Sequence, residues 1–559
     1  MQQPVGCVSG GIRYNKERTE GALQGAGGNR KEGAIVLLKE KLSALRKRAG
    51  FSQEKLAEIL DVSRQAVQKW ERGAAMPDIP KLIAISSLFG VSLDYLLNNR
   101  EPDADAVRHE SSGLPQYASL PDWEAYYSQL PLELRQSAEE GRDVKRYEKL
   151  AAEIDRLPPD LHKKQLADVF YDMIESAPQR SGYRYVEPSD YAHIALLCTP
   201  PAAAPVPKAQ ELSQRLRGAW LGRICGCLLG KPVEGMRLFE LIPFLKQADN
   251  FPMHRYLRSS DVTDSARETY SFDLSGRCYA DTVSAAPVDD DTNYTVLALR
   301  LLELYGRSFT SEDVARLWVD SQVKRAYCTA ERVAYRNIVN GYMPPDTATW
   351  RNPYREWIGA QIRADFYGYI NPGNPKAAAE MAWRDARISH VKNGIYGSMF
   401  VAAMLAQAAV CTEIEPVIEA GLACIPFTSR LHETIAGILN DYRAGVDREE
   451  CVRSIQSRFD DRSPHDWCHT ISNAAIVTAA LLYGGKDFGK TICLAVECGF
   501  DTDCNGATAG SILGMLIGET GIGPEWSAPL HGKLETSIFG VGTATLDELC
   551  ARTEKWIER

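Results

Sequence analysis

The stretch ECGFDTDCNGATAGSILGMLIG, residues 497–518, places Asp501 and Asp503 immediately before an apolar segment in which every fourth residue is glycine. A glycine inside a helix costs about 1 kcal/mol relative to alanine, so a row of them needs a packing reason. Rows of small residues allow two helix backbones to approach closely. We therefore expect a buried helix whose bare face contacts a second helix.

The same spacing occurs in RGAWLGRICGCLLGKPVEGM, residues 217–236, where the row consists of Gly218, Gly222, Gly226 and Gly230. Glu234 follows the end of this row. The apolar stretches are interrupted or shorter than the ~20 residues that span a bilayer, so we expect no membrane association. We expect the two glycine rows to face each other at the centre of a globular domain.

A third stretch, VDDDTNYTVLALRLLELYG at 288–306, sets three consecutive aspartates before an amphipathic helix. One acid suffices to cap a helix, whereas three adjacent acids repel each other unless a cation lies between them. Taken singly, each acid is better explained as a helix cap. Taken together, the acids favour a site for Mg²⁺, Mn²⁺ or Ca²⁺, which prefer oxygen ligands. The candidates are Glu234, Asp289, Asp290, Asp291, Asp501 and Asp503.

These three stretches, in this order, resemble the ADP-ribosylglycohydrolase family, which includes the dinitrogenase reductase-activating glycohydrolase, over about residues 211–559. The resemblance implies a large all-α domain with two Mg²⁺ ions, or Mn²⁺ as an alternative. It further implies hydrolysis of the N- or O-glycosidic bond at the anomeric carbon of ADP-ribose. The predicted substrate is an ADP-ribosylated or ribosylated small molecule or macromolecule.

The family motifs carry over residue by residue. The expected metal ligands are Asp289, Asp290, Asp291, Asp501 and Asp503. The expected catalytic residues are Glu234, Asp289 and Asp291, with Glu234 or Asp289 assisting proton transfer. The expected substrate-binding residues are Glu234, Ser389, His390, Gly499, Cys504 and Asn505. The amino terminus of the helix after Asp503 is expected to receive phosphate oxygens.

Two positions depart from the family pattern. Asp289 stands where the family has Thr or Ser, and Cys504 stands where it has Thr, so both lack the hydroxyl that would face a metal. Asp289 would bind a cation more strongly than a hydroxyl. Cys504 is a poor Mg²⁺ ligand, so we expect one cation to use Asn505 or water instead.

A different pattern occupies FSQEKLAEILDVSRQAVQKWERG, residues 51–73. Ser52 and Ser63 are placed to cap two short helices, and Gly73 is placed to end the second. Helix, tight turn and helix is the geometry that lays a second helix in the DNA major groove. About sixty residues here closely resemble the Cro/phage-repressor type of helix-turn-helix domain, which we predict to contain five helices within residues 35–100.

That resemblance assigns five contacts to DNA. Gln53 would contact a phosphate, Lys69 the backbone, and the base edges would face Arg64, Gln65 and Gln68. Residues 37–100 contain eleven Lys/Arg against seven Asp/Glu in a protein of net charge −9, which supports a local polyanion-binding face. A protein-interaction module with a solvated basic face is the alternative.

The remaining segments are less informative. We expect residues 1–34 to be a disordered tail and residues 101–210 to form a linker and helical connector. Fourteen scattered cysteines with no CxxC pair indicate free thiols in a reducing cytoplasm. His465, Cys468 and His469 match no zinc spacing, so a polar loop that enters a helix is favoured there.

We therefore predict an all-α, cytoplasmic chain that joins a Mg²⁺-dependent glycosidic hydrolase to a sequence-specific DNA-binding domain. It would bind a double-stranded DNA operator as a homodimer and regulate its own operon. One alternative is a transcription regulator whose hydrolase-like domain only senses an ADP-ribosyl or nucleoside-like ligand. Another is action on an N-glycoside that carries no ADP-ribose.

Overall fold

The computed structural model describes residues 29–91, 93–97, 115–121 and 123–557. Within these ranges the regular structure is helical, apart from an antiparallel pair of short strands, Lys533–Glu535 (β1) and Thr543–Thr545 (β2). The all-α prediction is confirmed. The described residues form two compact units, one that ends at Gln116 and includes Asp160–Gln165, and one made of Tyr117–Pro159 and the chain from Leu166 onward.

The first unit contains the five predicted helices: α1 Asn29–Arg48, α2 Gln53–Ile59, α3 Arg64–Arg72, α4 Ile79–Phe89 and α5 Leu93–Leu97. The predicted punctuation is confirmed, because Ser52 accepts the N–H of Lys55, Ser63 accepts the N–H of Ala66, and Gly73 ends α3 with φ of 70°. Residues 29–34 of the expected tail are helical instead. The rest of that tail, residues 1–28, lies outside the described residues.

The predicted connector contains four helices: α6 Leu130–Glu139, α7 Glu148–Asp155, α8 Leu161–Glu175 and α9 Tyr191–Leu196. Residues 101–114 of it lie outside the described residues. Buried ion pairs join the connector to the carboxy-terminal helices, since Arg355 contacts Glu133 at 2.8 Å and Arg430 contacts Glu187 at 2.9 Å. The connector from Tyr117 is therefore largely part of the second unit.

The remaining helices of the second unit are α10 Ala209–Gly230, α11 Leu238–Gln247, α12 Asp264–Thr269, α13 Asp290–Tyr305, α14 Ser311–Ser321, α15 Thr329–Val339, α16 Asp346–Thr349, α17 Gly359–Ile362, α18 Asp365–Tyr369, α19 Pro375–Ala386, α20 Lys392–Ala408, α21 Ile414–Ala423, α22 Arg430–Arg443, α23 Arg448–Arg458, α24 Pro464–Cys468, α25 Thr470–Tyr483, α26 Phe488–Glu497, α27 Thr502–Ile517, α28 Pro524–Ser527 and α29 Leu546–Glu554. The longest, α10, is buried almost throughout its second half. Buried apolar side chains from α10 to α29 form one continuous core around it.

Helices α10 and α27 pack directly backbone against backbone. Along this antiparallel contact Gly218 faces Gly514, Gly222 faces Gly510 and Gly226 faces Gly506, and a Cβ on any of them would overlap the opposite carbonyl group. Any larger side chain would force the helices apart. The two glycine rows therefore pair as their spacing predicts.

Candidate functional site

The contact between the two glycine rows fixes the position of Asp501 and Asp503, the acids at the start of α27. At its end Gly230, the last residue of α10, faces the backbone of Thr502 and Asp503 at the start of α27. The hydroxyl of Thr502 donates to the carbonyl of Gly230 at 3.0 Å, which ties the two helix ends together. Glu234 follows one short turn later. Residues on both sides of the contact thus reach one place.

The acids from the three sequence stretches form a continuous cluster. Ligand atoms of Glu234, Asp501 and Asp503 lie within 4.8 Å of one another, and so do those of Asp291, Asp503 and Cys504. A third group, Cys227 with Asp289 and Asp291, meets the same limit. The groups share Asp291 and Asp503, so they form one site. Asp290 belongs to none of the three groups, but the charges of Asp289, Glu234 and Asp501 raise the pKa of its carboxyl group.

Helix capping and clustering are both realised at this site. Asp289 is the N-cap of α13, and its Oδ1 accepts the backbone N–H of Asp291 at 2.8 Å. Asp501 occupies the N-cap position of α27 without a capping hydrogen bond from its side chain. The side chain of Asp503 accepts the backbone N–H of Cys504 at 3.1 Å, so part of the first turn of α27 already has a protein partner. That contact competes with the predicted role of this helix end in binding phosphate.

Two basic side chains at the cluster were missed at the sequence level. The Lys231 ammonium forms an ion pair with Asp289 and lies 2.9 Å from Glu234 and 3.4 Å from Asp503. The buried guanidinium of Arg223 contacts Asp291 at 2.9 Å. The signals for them were a single arginine inside an otherwise apolar, glycine-rich helix and a lysine at the end of its glycine row.

Burial and mutual repulsion make ionisation costly for most of these acids. Burial, with the charge of Asp289 next, raises the pKa of Asp290 to about 8. Burial and then Glu234 raise the pKa of Asp501 to about 6, and the same two causes place the pKa of Asp503 well above its usual value. Burial also raises the pKa of Asp291 against the opposing charge of Arg223. For Asp289 burial acts in the same direction, but Lys231 outweighs it and the pKa is lowered.

The residues at this cluster fit divalent cations. Two basic groups, Lys231 and Arg223, contact only four of its six carboxylates, and Arg223 is shared with Asp365, so at least four negative charges would stay uncompensated if all six acids were ionised. The buried Oδ2 of Asp291 and Oδ1 of Asn505 have no hydrogen-bond partner. Unpaired buried carboxylates are costly unless a cation neutralises them. Two divalent ions would supply the missing charge.

Of the predicted substrate-binding residues, Glu234 is partly exposed and the other five are buried, and they do not all meet. Cys504 belongs to the acid cluster, and the amide of Asn505 donates to Asn473 at 2.8 Å. Gly499 has φ of 77° and packs against Leu238. Ser389 and His390 are fully buried and contact each other at 2.8 Å through Oγ and Nδ1, while Nε2 of His390 lacks a partner. Among the described residues, no hydrogen bond or ion pair connects this pair to the six acids, so its predicted role stays a prediction.

The side chains of His465 and His469 meet Glu139 of α6, whereas Cys468 lies beside Asp501. Nε2 of His465 is 3.1 Å from Glu139, and Nε2 of His469 is 3.9 Å from both Glu139 and Glu356. Nδ1 of His469 accepts the N–H of Ile471 at 3.2 Å, which places the proton of the neutral ring on Nε2. An Nε2 that carries a proton has no lone pair to offer a metal, so this arrangement does not favour a metal site at His469.

The predicted DNA-contacting side chains lie on α2 and α3. Arg64, Gln65 and Lys69 are exposed, and Gln53 and Gln68 are partly buried. The amide of Gln53 donates to Glu71 at 2.7 Å, and Arg64 pairs with Glu54 at 2.8 Å. Glu71 also holds Arg46, so the first of these contacts braces α2 against α1 and α3. The recognition helix presents its polar side to solvent.

Comparison with known proteins agrees with these two units. A helix-turn-helix family model matches residues 42–96. The chain is 47% identical to the HTH-type transcriptional activator BcrR of Enterococcus faecalis over 62 residues. These residues make up 11% of this chain and 30% of BcrR. It is 38% identical over 66 residues to the SPbeta prophage-derived uncharacterized HTH-type transcriptional regulator YonR of Bacillus subtilis (strain 168), 12% of this chain and 61% of YonR. Less than two thirds of either relative is therefore spanned.

The larger unit matches a different family. A solved structure described as an ADP-ribosylglycohydrolase-related protein complex is similar over 62% of this chain and 98% of its own, with a TM-score of 0.40 and 20% identity. Among the described residues, no helix combines the length and apolar character that a membrane crossing needs. The model of the ADP-ribosylglycohydrolase family matches residues 208–557, which is more than half of the chain. The protein therefore belongs to the ADP-ribosylglycohydrolase family and carries a helix-turn-helix domain ahead of that family's domain.

Proposed function

We propose that the second unit hydrolyses a glycosidic bond of an ADP-ribosyl or related ribosyl compound with the help of two divalent cations. The observation that carries this proposal is the convergence of five carboxylates, those of Glu234, Asp289, Asp291, Asp501 and Asp503, on the end of the α10–α27 glycine contact, with too few basic groups to neutralise them. We take Mg²⁺ as the first cation to test, with Mn²⁺ as the alternative. Asp289, Asp290, Asp291, Asp501 and Asp503 would hold the cations.

The cations, when bound, would orient ribose hydroxyls and lower the pKa of water. Glu234 is best placed to move a proton, because its side chain is 35% exposed while those of Asp289, Asp291 and Asp503 are at most 2% exposed. Its carboxylate accepts a proton from the water that attacks the anomeric carbon. The bond to the leaving group breaks as the water adds, its electron pair goes to that group, which takes up a proton from solvent, and nearby carboxylates stabilise the positive charge that develops on the sugar.

The DNA-binding domain defines where this chemistry would act. We propose that the first unit binds a palindromic operator as a homodimer, with Arg64, Gln65 and Gln68 facing base edges and Gln53 and Lys69 facing the backbone. The match to helix-turn-helix regulators and the exposed polar side of α3 support this. Binding near its own gene would make the protein autoregulatory.

The test of hydrolysis is turnover of ADP-ribosyl-arginine, O-acetyl-ADP-ribose and simple N-ribosides, with Mg²⁺, with Mn²⁺ and in EDTA. We expect Asp501→Asn and Asp503→Asn to abolish turnover with the helical circular dichroism retained. Asp447→Asn, at the N-cap of the surface helix α23, is the matched control and should keep full activity. Full wild-type activity in EDTA would refute the cation requirement.

A ligand sensor is the second candidate, and Lys231 is the observation that favours it. Its ammonium contacts three of the acids and partly neutralises them without any metal. In a sensor, no glycoside would be turned over, and an ADP-ribosyl ligand would change the affinity of the chain for DNA. Measuring turnover and DNA binding on the same preparations separates the two functions.

A further inference from the structure

Three buried thiols line the acid cluster, and two of them are placed as ligands. The sulfur of Cys227 lies within 4.8 Å of carboxylate oxygens of Asp289 and Asp291, and that of Cys504 lies within the same limit of Asp291 and Asp503. Cys468 approaches a single acid, with its sulfur 3.5 Å from Asp501. Each of the first two thiols therefore completes a group of one sulfur and two carboxylates.

The two groups meet at Asp291. Its Oδ1 is held by Arg223, while its Oδ2 is buried without a partner. Oδ2 of Asp289, in contrast, is ion-paired with the Lys231 ammonium. The unpaired oxygen thus belongs to the aspartate that both groups share, in a region where Asp289 and Asp291 are at most 3% exposed. Two adjacent cation positions that share Asp291 follow from this arrangement.

Sulfur changes which cation such a site selects. Mg²⁺ and Ca²⁺ bind oxygen and gain little from a thiol, whereas Zn²⁺, Co²⁺ and Fe²⁺ bind thiolates well. A buried thiol that touches no cation contributes only as a small apolar side chain. Two such thiols, each grouped with Asp291 and its unpaired Oδ2, therefore favour the second group of metals.

We propose that Cys227 and Cys504 are ligands of the cation centre and make it select a thiophilic divalent cation of the Zn²⁺, Co²⁺ or Fe²⁺ class over Mg²⁺. The inference rests on the proposed cation site and specifies its metal. Each thiol that becomes a ligand releases its proton to solvent, so no oxidant or reductant is needed. The choice of metal is then determined by Cys227 and Cys504 rather than by the aspartates.

Co²⁺ is the probe, because a thiolate ligand gives it a near-ultraviolet charge-transfer absorption. The full chain is stripped with EDTA, dialysed and titrated with Co²⁺. We expect the band in the wild type, a weaker band in Cys227→Ser and in Cys504→Thr, and none in the double variant. Cys493→Ser is the matched control, since Cys493 is buried in α26 and belongs to none of the candidate ligand groups among the described residues. Its band should equal that of the wild type.

Competition with Mg²⁺ gives a second readout. The double variant should lose Co²⁺ affinity relative to Mg²⁺ by at least about tenfold, which is the size of effect that even outer partners of a metal site have. X-ray absorption at the cobalt edge should show sulfur scattering in the wild type, and this measurement stands even where a cysteine variant does not fold.

The outcomes distinguish this inference from the proposed function. Co²⁺ that binds with neither a thiolate band nor sulfur scattering overturns the thiol ligands and leaves the carboxylate site intact. If Co²⁺ does not bind at all, and Asp501→Asn leaves glycoside turnover unchanged, the cation site is overturned as well. If the thiolate band survives in the double variant but disappears in Cys468→Ser, the sulfur ligand is Cys468, and this result also refutes the inference.

Discussion

Arg223 contacts Asp291 at two points, since its Nε donates to the backbone carbonyl at 2.8 Å and its Nη2 to Oδ1 at 2.9 Å. Both side chains are buried, at 1% and 0% exposure. An arginine in the middle of the glycine-rich helix α10 therefore fixes the first turn of α13, where the three aspartates lie. This contact couples the packing of the core to the geometry of the acid cluster.

The first prediction is that Arg223→Met destabilises the protein strongly. Removing one partner of a buried ion pair leaves an uncompensated charge, here on Asp291 and also on Asp365, and typically costs about 3–5 kcal/mol. The free energy of unfolding from urea denaturation measures the loss. Arg443→Met, which removes an exposed arginine paired with Glu415 and Glu419, is the control and should leave the midpoint unchanged. Equal midpoints for both variants would contradict the assigned role of Arg223.

The second prediction concerns the glycine contact. Gly226→Ala should destabilise the chain although alanine is the better helix former, because its Cβ would overlap the carbonyl of Gly506. Overpacking of this kind costs about 1–3 kcal/mol. Gly437, inside α22, has no atom within 4 Å of an added Cβ, so Gly437→Ala should raise stability by up to about 1 kcal/mol. If both substitutions changed the free energy of unfolding in the same direction, helix propensity rather than packing would determine their effect on stability.

The glycine rows illustrate what sequence alone supplies. Spacing identified both helices and their contact, and turn chemistry identified Ser52, Ser63 and Gly73, because caps and close approaches depend on neighbours in the chain. The acid cluster followed, since both acid groups begin helices that this contact brings together.

What sequence did not supply depends on distant partners. Lys231 and Arg223 read as ordinary basic residues until Asp289 and Asp291 are placed next to them. Glu139 meets His465 only because the connector packs on the large domain. Local patterns carry no information on such pairs, which is why the histidines looked like part of a simple polar loop.

The third prediction concerns acid stability. Burial alone would raise the pKa of Glu139, but the hydrogen bond with His465 and the charges of His465, His469 and Arg430 together outweigh it and lower the pKa to about 2. A carboxyl group with a lowered folded-state pKa stabilises the fold above its unfolded pKa near 4.5, and this stabilisation is lost as pH falls towards 2. Glu139→Gln should therefore reduce stability at pH 7, by at most about 3 kcal/mol and less because a third of the side chain is exposed.

Denaturation of wild type and Glu139→Gln at a series of pH values measures this difference. The two curves should converge between pH 4.5 and pH 2, since protonated Glu139 and glutamine are then equally uncharged. Glu450→Gln, an exposed glutamate paired with Arg453, is the control and should follow the wild type throughout. A Glu139 difference that persists unchanged at pH 2 would mean that packing, not charge, explains it.

The final prediction separates the two units. Arg64 is 60% exposed and pairs only with Glu54 among the ion pairs of the described residues, so it is free to reach a guanine edge, where a bidentate contact is worth about 1–3 kcal/mol. Arg64→Ala should weaken binding to a duplex selected from random sequences by the wild-type chain about 10- to 100-fold, measured by fluorescence anisotropy at fixed salt. Arg453→Ala removes a comparably exposed, ion-paired arginine from α23 in the other unit and should bind the duplex like the wild type. Glycoside turnover should be the same in all three proteins, because neither arginine lies near the acid cluster along the chain or belongs to its ion pairs. Equal losses of DNA affinity and turnover in Arg64→Ala would mean that the two activities depend on each other.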